Sequence, residues 1–314
     1  GRAGLLVRPP SGFATRKAAD GTPMLFLSAL ITGLGLGSMY GLLALGFYVT
    51  YVVSKTVNFA QGSTMMLGAV LCFTFWVTLG WPAPVAIAIA LIGCALWGVA
   101  VERIAVRPFV RRNSEAWLMA TVALGIVLDN VVLFTFGRDP RGMPPTSLVT
   151  DTFMVAGVRV QPQQVLIPLV GIGLAIAFTV FARHTRHGLA MLAVVQNEAA
   201  ARLMGINVGV AVSVAFAMSG FFAGVAGILI APLFTISSTM GTMFGIKAFA
   251  VAILGGITNP WGVMCAGLLY GVAEALITAS FGSTYTQITA FSLVIVALAL
   301  RPEGLFGRAG VKKV

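Results

Sequence analysis

The sequence predicts an all-α fold, a polytopic transmembrane helical bundle of about eight to nine membrane segments that includes broken or partial helices. Three observations carry this expectation. Mean hydropathy is +0.97 and only 9% of the 314 residues are charged, against about a quarter in soluble domains. The apolar runs are long: residues 24–54 hold no charged side chain, and neither do residues 56–101, while a helix needs about 20 apolar residues to cross the hydrocarbon. These runs are also unbroken, unlike the short alternating segments of an outer-membrane barrel, so helices must satisfy the backbone.

Residues 1–23 stand apart from the rest. They contain Arg2, Arg8, Arg16, Lys17, Asp20 and three prolines, with no apolar run long enough for a signal peptide. They are expected to be a leader, non-native or disordered, ahead of a transmembrane domain at 24–308 and a cytoplasmic tail at 309–314. Within the domain, helices are predicted near 24–53, 62–79 and 84–105, the last two separated by WPAP at 81–84. A run at 116–137 is interrupted only by Asp129, and another covers 163–182. Residues 203–246 are uncharged, with breaks at Pro232 and SSTMGTMFG (237–245), and apolar segments follow near 246–257, 262–280 and 284–300.

A net charge of +11 would suggest a nucleic-acid partner in a soluble protein, but here the basic residues cluster between apolar runs, as in cytoplasmic loops. Arg103, Arg107, Arg111 and Arg112 mark one such loop, Arg183, Arg186 and Arg202 a second, and Arg301, Arg308, Lys312 and Lys313 the tail. The segment 137–161 balances its charges and reads as an external loop. Three full crossings before the loop at 106–115 would put residues before Met24 outside, which conflicts with their basic character. Either that leader is not native or the interruption KTVNFAQG (55–62) marks an incomplete crossing.

In that interruption Asn58, Gln61, Ser63 and Thr64 surround Gly62. Irregular backbone at membrane depth persists only where protein buries it or where it lines a water-filled path, so the stretch reads as a broken helix at a polar translocation route. Broken-helix ends present free N–H and C=O groups suited to a zwitterion. The same residues also fit an ordinary cytoplasmic loop. Gly255 and Gly256, just before Thr258, Asn259 and Pro260, read as a helix end and turn and form a second candidate for the path.

On the cytoplasmic side, residues 196–204 form a good helix, with Glu198 and Arg202 in the favourable i,i+4 order and Gly205 as its stop. Such a short amphipathic helix fits docking on a partner protein, or a position at the lipid headgroups. Glycines 33, 35, 37 and 41, and 220, 224 and 227, read as close helix packing. Cys72, Cys94 and Cys265 lie in apolar segments without metal spacing and read as buried, inert thiols. Asp129, Lys247 and Glu274 are the ionisable groups within or beside apolar runs, and each is a functional candidate because its desolvation is costly. Snorkelling for Lys247 and an interhelical hydrogen bond for Glu274 are the plainer readings. The three are not spaced as a proton relay, and no phosphate-binding loop, nucleophile elbow or H-E-x-x-H occurs, so an enzyme is not expected.

Five separated stretches, TYVVSKTVNFAQGSTMMLGA (50–69), ERIAVRP (102–108), RHTRHGLAMLAVVQNEAAARLMGINV (183–208), GIKAFAVAILGGITNPWGVMCAGLLYGVAEAL (245–276) and RPEGLFGR (301–308), resemble the LivH-type permeases of branched-chain amino acid ABC importers, in colinear order. The resemblance implies that Asn58, Phe59, Ala60 and Gly62 belong to the core of the membrane path. It also implies that Glu198, Ala199, Ala200 and Gly205, flanked by Gln196 and Arg202, form the loop that couples to an ATPase. That loop has one extra residue before Gly205 and lacks the following I-x-L-P of the general pattern. Gln61 stands where many relatives carry histidine, and Asp129 precedes Asn130 where glutamine is common.

By the same resemblance the chain is a non-catalytic permease subunit in a bacterial-type inner membrane, forming half of a path for branched-chain or related amino acids. Its implied partners are a second, LivM-like permease, two cytoplasmic ATPase subunits that bind ATP and Mg, a periplasmic solute-binding protein, and membrane lipid. No cofactor in this chain and no nucleic acid are expected. The alternative is a stand-alone secondary transporter or facilitator for a small polar solute such as urea or an amide.

Overall fold

A computed structural model describes residues 13–144, 150–155, 158–301 and 304–307; residues 1–12 of the leader, 145–149 of the external loop and the tail at 309–314 lie outside the described residues. The long apolar runs become helices α1 (Phe13–Ser54), α2 (Gln61–Thr78), α3 (Ala83–Val110), α4 (Trp117–Phe136) and α5 (Pro162–His184). Two short helices follow, α6 (Arg186–Gln196) and α7 (Glu198–Leu203). The remainder of the bundle is α8 (Val208–Ile230), α9 (Met240–Leu254), α10 (Pro260–Phe281) and α11 (Ser283–Leu300). Among the described residues seven helices are long and apolar enough to cross a membrane, with α9 a shorter apolar helix. This is the predicted polytopic bundle of eight to nine segments.

Local chemistry sets the boundaries. Pro162 and Pro260 occupy the first turns of α5 and α10, where the missing N–H costs no hydrogen bond. Asn207 caps α8 by accepting from Val210 N at 3.2 Å, and Thr185 caps α6 by accepting from Gly188 N at 3.0 Å. The backbone helix of α1 continues back to Phe13, into the segment set apart as a leader.

Burial separates centre from periphery. The α1 span is 72% buried, whereas α4 is 22% and α3 and α5 are each 28% buried, so α1 is the axis and the other three present apolar faces outward. Those faces carry Leu96, Met119, Phe134 and Leu169, all exposed, which suits lipid or a second subunit. Helices α1 and α10 approach closely because small residues meet along their crossing: a Cβ on Gly37 or Gly271 would collide with the opposite backbone.

Two local readings are corrected, and the segment 137–161 gains a hairpin, in which Phe153–Val155 (β1) and Val158–Val160 (β2) pair antiparallel, Met154 opposite Arg159. Arg141 N donates to Ile236 O at 2.9 Å and Ile236 N returns a bond to Arg141 O at 2.8 Å, pinning this loop onto the α8–α9 turn. The helix expected over 196–204 breaks at Asn197, whose extended backbone and side chain cap α7 by accepting from Ala200 N at 3.0 Å. Cys72 and Cys94 are buried as expected, but Cys265 is exposed, because it lies on the outward face of α10.

Candidate functional site

The interruption at 55–62 is a buried re-entrant junction rather than a loop in open solvent. Lys55 takes a positive φ of 58°, the chain turns back into the bundle, and Thr56, Val57, Asn58 and Ala60 are all buried. Helix α2 then starts beside the middle of α8: Gln61 Nε2 donates to Ser219 O at 3.1 Å, and Ser219 Oγ donates to Gln61 Oε1 at 2.8 Å. Asn58 closes the turn, accepting from Ala60 N at 3.1 Å and donating to Gln61 Oε1 at 3.4 Å. Thr64 Oγ1 donates to Ala60 O at 2.8 Å. The backbone is irregular here because side-chain amides stand in for helical partners.

Gly62 sits where α2 crosses the start of α9. A Cβ there would fall well inside contact distance of Gly241 O, and one on Gly241 would meet Gly62 O. The two helix starts therefore touch backbone to backbone. Beside this crossing lies a cavity of about 250 Å³, reached by Gly62 and Ser63 from α2, Gly125 and Asp129 from α4, and Gly241, Thr242 and Gly245 from α9. Phe47, Phe59 and Phe249 close its apolar side, with Phe249 5.6 Å from Phe47 and 5.2 Å from Phe59 between ring centroids. Asp129 Oδ1 is buried and has no hydrogen-bond partner among the described residues. The structure thus brings Gly62 and Ser63 to a cavity, and gives Asn58, Gln61 and Thr64 the task of holding the junction.

Gly255 and Gly256 lie elsewhere, in the α9–α10 turn. Gly256 has φ +77°, and Gly255 packs directly on the backbone of Gly262 and Val263. Residues 304–307 return to this turn, with Leu305 N donating to Leu254 O at 2.7 Å and Asn259 Nδ2 donating to Phe306 O at 3.3 Å. The pair is a turn fastened by the end of the chain, remote from the Gly62 cavity.

Lys247 and Glu274 find each other across α9 and α10, as a buried ion pair. Lys247 Nζ also donates to Tyr40 Oη on α1 at 3.4 Å, and Tyr40 meets Tyr270 edge-on at 5.5 Å. Lys247 therefore does not snorkel. Its pairing compensates the charge that a bundle interior would otherwise exclude.

Sequence reasoning missed a second ion pair, between the buried Glu102 and a partly exposed Arg107. Glu102, on a π-helical turn of α3, accepts a bidentate contact from Arg107 at 2.8 and 3.0 Å. Arg107 also donates to Ser213 Oγ at 2.8 Å and Gly209 O at 3.2 Å, and Ser213 Oγ donates to Glu102 Oε2 at 3.0 Å, which clamps α3 to α8. The five-residue spacing in ERIAVRP was visible, but only the π turn puts both side chains on one face. A crevice joins this clamp to Glu198 and Arg202 of α7, which form the expected i,i+4 pair. Gln196 ends α6; Ala199 and Ala200 lie on α7. Leu203 and Met204 are 89% and 82% exposed, an apolar tip uncovered among the described residues, and Gly205 follows at φ +83°.

A family model described as branched-chain amino acid transport system / permease component matches residues 29–300. The high-affinity branched-chain amino acid transport system permease protein BraD of Pseudomonas aeruginosa is 32% identical, covering 92% of this chain and 98% of its own. The corresponding permease protein LivH of Escherichia coli K12 is 32% identical over the same shares. Among solved structures, PsaBC from Streptococcus pneumoniae in complex with Fab aligns at 16% identity and a TM-score of 0.47, over 92% of this chain and 97% of that one.

Proposed function

Because the chain belongs to the family of permease components of branched-chain amino acid transport systems, we propose that it forms half of a membrane path for branched-chain or related amino acids. It is a multi-pass permease subunit of an ABC importer and not itself an enzyme. The observation that carries this reading is the match over nearly the whole chain to two such permeases, on a bundle with seven membrane-length helices. The reading extends to an inner-membrane complex with a second, LivM-like permease, two ATPase subunits that bind ATP and Mg, and a solute-binding protein on the outer side.

The exposed tip of α7 supports the ATPase contact. Leu203 and Met204 present apolar surface in a basic, solvent-facing loop, and the crevice behind them leads to the Glu102–Arg107 clamp and so to α3 and α8. A push on α7 from a nucleotide-driven subunit would reach the membrane helices through that clamp. Asn58, Gln61 and Thr64 shape the path by fixing where α2 begins, while Gly62 and Ser63 face it.

Reconstitution of the four kinds of subunit in proteoliposomes tests the reading. Leucine uptake is expected to require ATP and the binding protein, and Gly205→Glu is expected to abolish both uptake and co-purification of the ATPases while leaving membrane insertion intact. Uptake by this chain alone, without ATP, would establish the facilitator alternative instead.

A further inference from the structure

The cavity at the α2–α9 crossing has three chemically distinct walls. One is the half-buried Asp129 carboxylate, whose Oδ1 has no hydrogen-bond partner among the described residues and which has the Ser63 hydroxyl beside it. A second is formed by the first turns of α2 and α9, which begin at Gln61 and Met240 and deliver Gly62, Ser63, Gly241 and Thr242 to the cavity. Thr242 N already donates to Thr239 O at 3.3 Å; the other amide N–H groups of a first helical turn lack intrahelical acceptors and favour an anion. The third is the cluster of Phe47, Phe59 and Phe249. An α-amino acid with an apolar side chain presents the matching set: a cation, an anion and an apolar group on one carbon.

Size and position agree. Drug-sized ligands occupy about 300–1,000 Å³, so a cavity of about 250 Å³ suits a smaller solute. Its rim includes Ile126 and Ile246, 56% and 51% exposed, so the cavity opens on the outer face between α4 and α9. A carboxyl group turned toward acyl chains would cost at least a few kcal/mol, so this face belongs against the second permease subunit and the water-filled seam between the two. Both intramembrane acids keep one buried oxygen unpartnered among the described residues, but Glu274 has the Lys247 charge against it, whereas no cationic side chain lines the cavity around Asp129.

We propose that this cavity holds an apolar α-amino acid during translocation, with Asp129 accepting from its ammonium group, the starts of α2 and α9 facing its carboxylate, and the three phenylalanines packing its side chain. The assignment rests on the transport reading above and deepens it.

The test uses the complete reconstituted importer with leucine, measuring leucine moved per ATP hydrolysed, because a merely structural defect lowers both quantities together. Asp129→Asn is expected to lower that ratio at least tenfold with subunit assembly retained, and Asp129→Glu to recover part of it. Phe249→Ala is expected to lower the ratio several-fold. Asn130→Ala, an exposed neighbour on the same helix, is expected to leave it unchanged. Parental ratios in both Asp129→Asn and Phe249→Ala would overturn the site while leaving the transport reading intact. Failure of the parent importer to move leucine would overturn that reading and the site with it.

Discussion

Two polar regions meet at Gly62, and they are built in opposite ways. On one side, Asn58, Gln61, Thr64 and Ser219 bond one another and the local backbone. On the other, Asp129 reaches the cavity with a buried oxygen that no described residue satisfies. A buried polar group with partners inside the chain contributes to the fold, whereas one without them costs stability until something arrives. The closed cluster is therefore scaffold, and the open carboxyl is the place to look for a solute. The amides are the more conspicuous feature of the sequence, yet the aspartate is the acid that lines a cavity without a cation beside it.

The sharpest way to break this comparison is to separate the helices that carry it. Gly62→Val would place side-chain atoms inside the backbone of Gly241, and neither helix start can yield as a flexible side chain would. Loss of monodisperse protein in detergent is expected; a variant that elutes and melts like the parent would mean the crossing is looser than described. Next in size come the two ion pairs. Lys247→Met strands the buried Glu274 carboxylate, at a cost of about 3–5 kcal/mol, read as a large fall in thermal midpoint, and Glu102→Ala, which leaves a partly exposed Arg107, is expected to cost less. Replacing both Lys247 and Glu274 with neutral residues should recover part of the loss.

The smaller effects test the comparison itself. Gln61→Leu removes the latch to Ser219 and should destabilise the protein by about 0.6–1.7 kcal/mol, the range for interhelical hydrogen bonds in membranes. Asp129→Asn, which keeps the side chain's size and polarity beside Ser63, should change solute-free stability less than Gln61→Leu does while impairing transport. Equal thermal shifts in these two variants would remove the distinction between scaffold and site. The smallest stability effect is expected for Leu203→Ser, at an exposed tip, with weakened ATPase co-purification as its readout.

Much of this architecture was legible in order along the chain. Runs of apolar residues located the spans, the glycines before Pro260 marked a turn, and the KTVNFAQG interruption announced a broken crossing. The candidate site was less legible. Asp129 was noticed as an intramembrane acid, but nothing in its surroundings at 125–133 tied it to Gly62, Gly241 or Phe249. Asn197 was read through as helix because local propensity favours one, whereas its cap on Ala200 N wins at the break. The ion pair of Lys247 with Glu274 escaped notice because 27 positions on two helices fit no local spacing rule.

What the sequence by itself determined is the class of solvent and the succession of elements, because hydrocarbon leaves helices as the only way for these apolar runs to satisfy their backbones. The resemblance in its motifs then determined the family. Only the tertiary structure decided which polar residues are spent on one another and which remain open. That outcome depends on helix crossings set by backbone contact at small residues, such as Gly62 on Gly241, and on a π turn that rotates Arg107 onto Glu102. Both are relations in space between segments far apart, or phase shifts within a helix, and periodicity along a chain encodes neither.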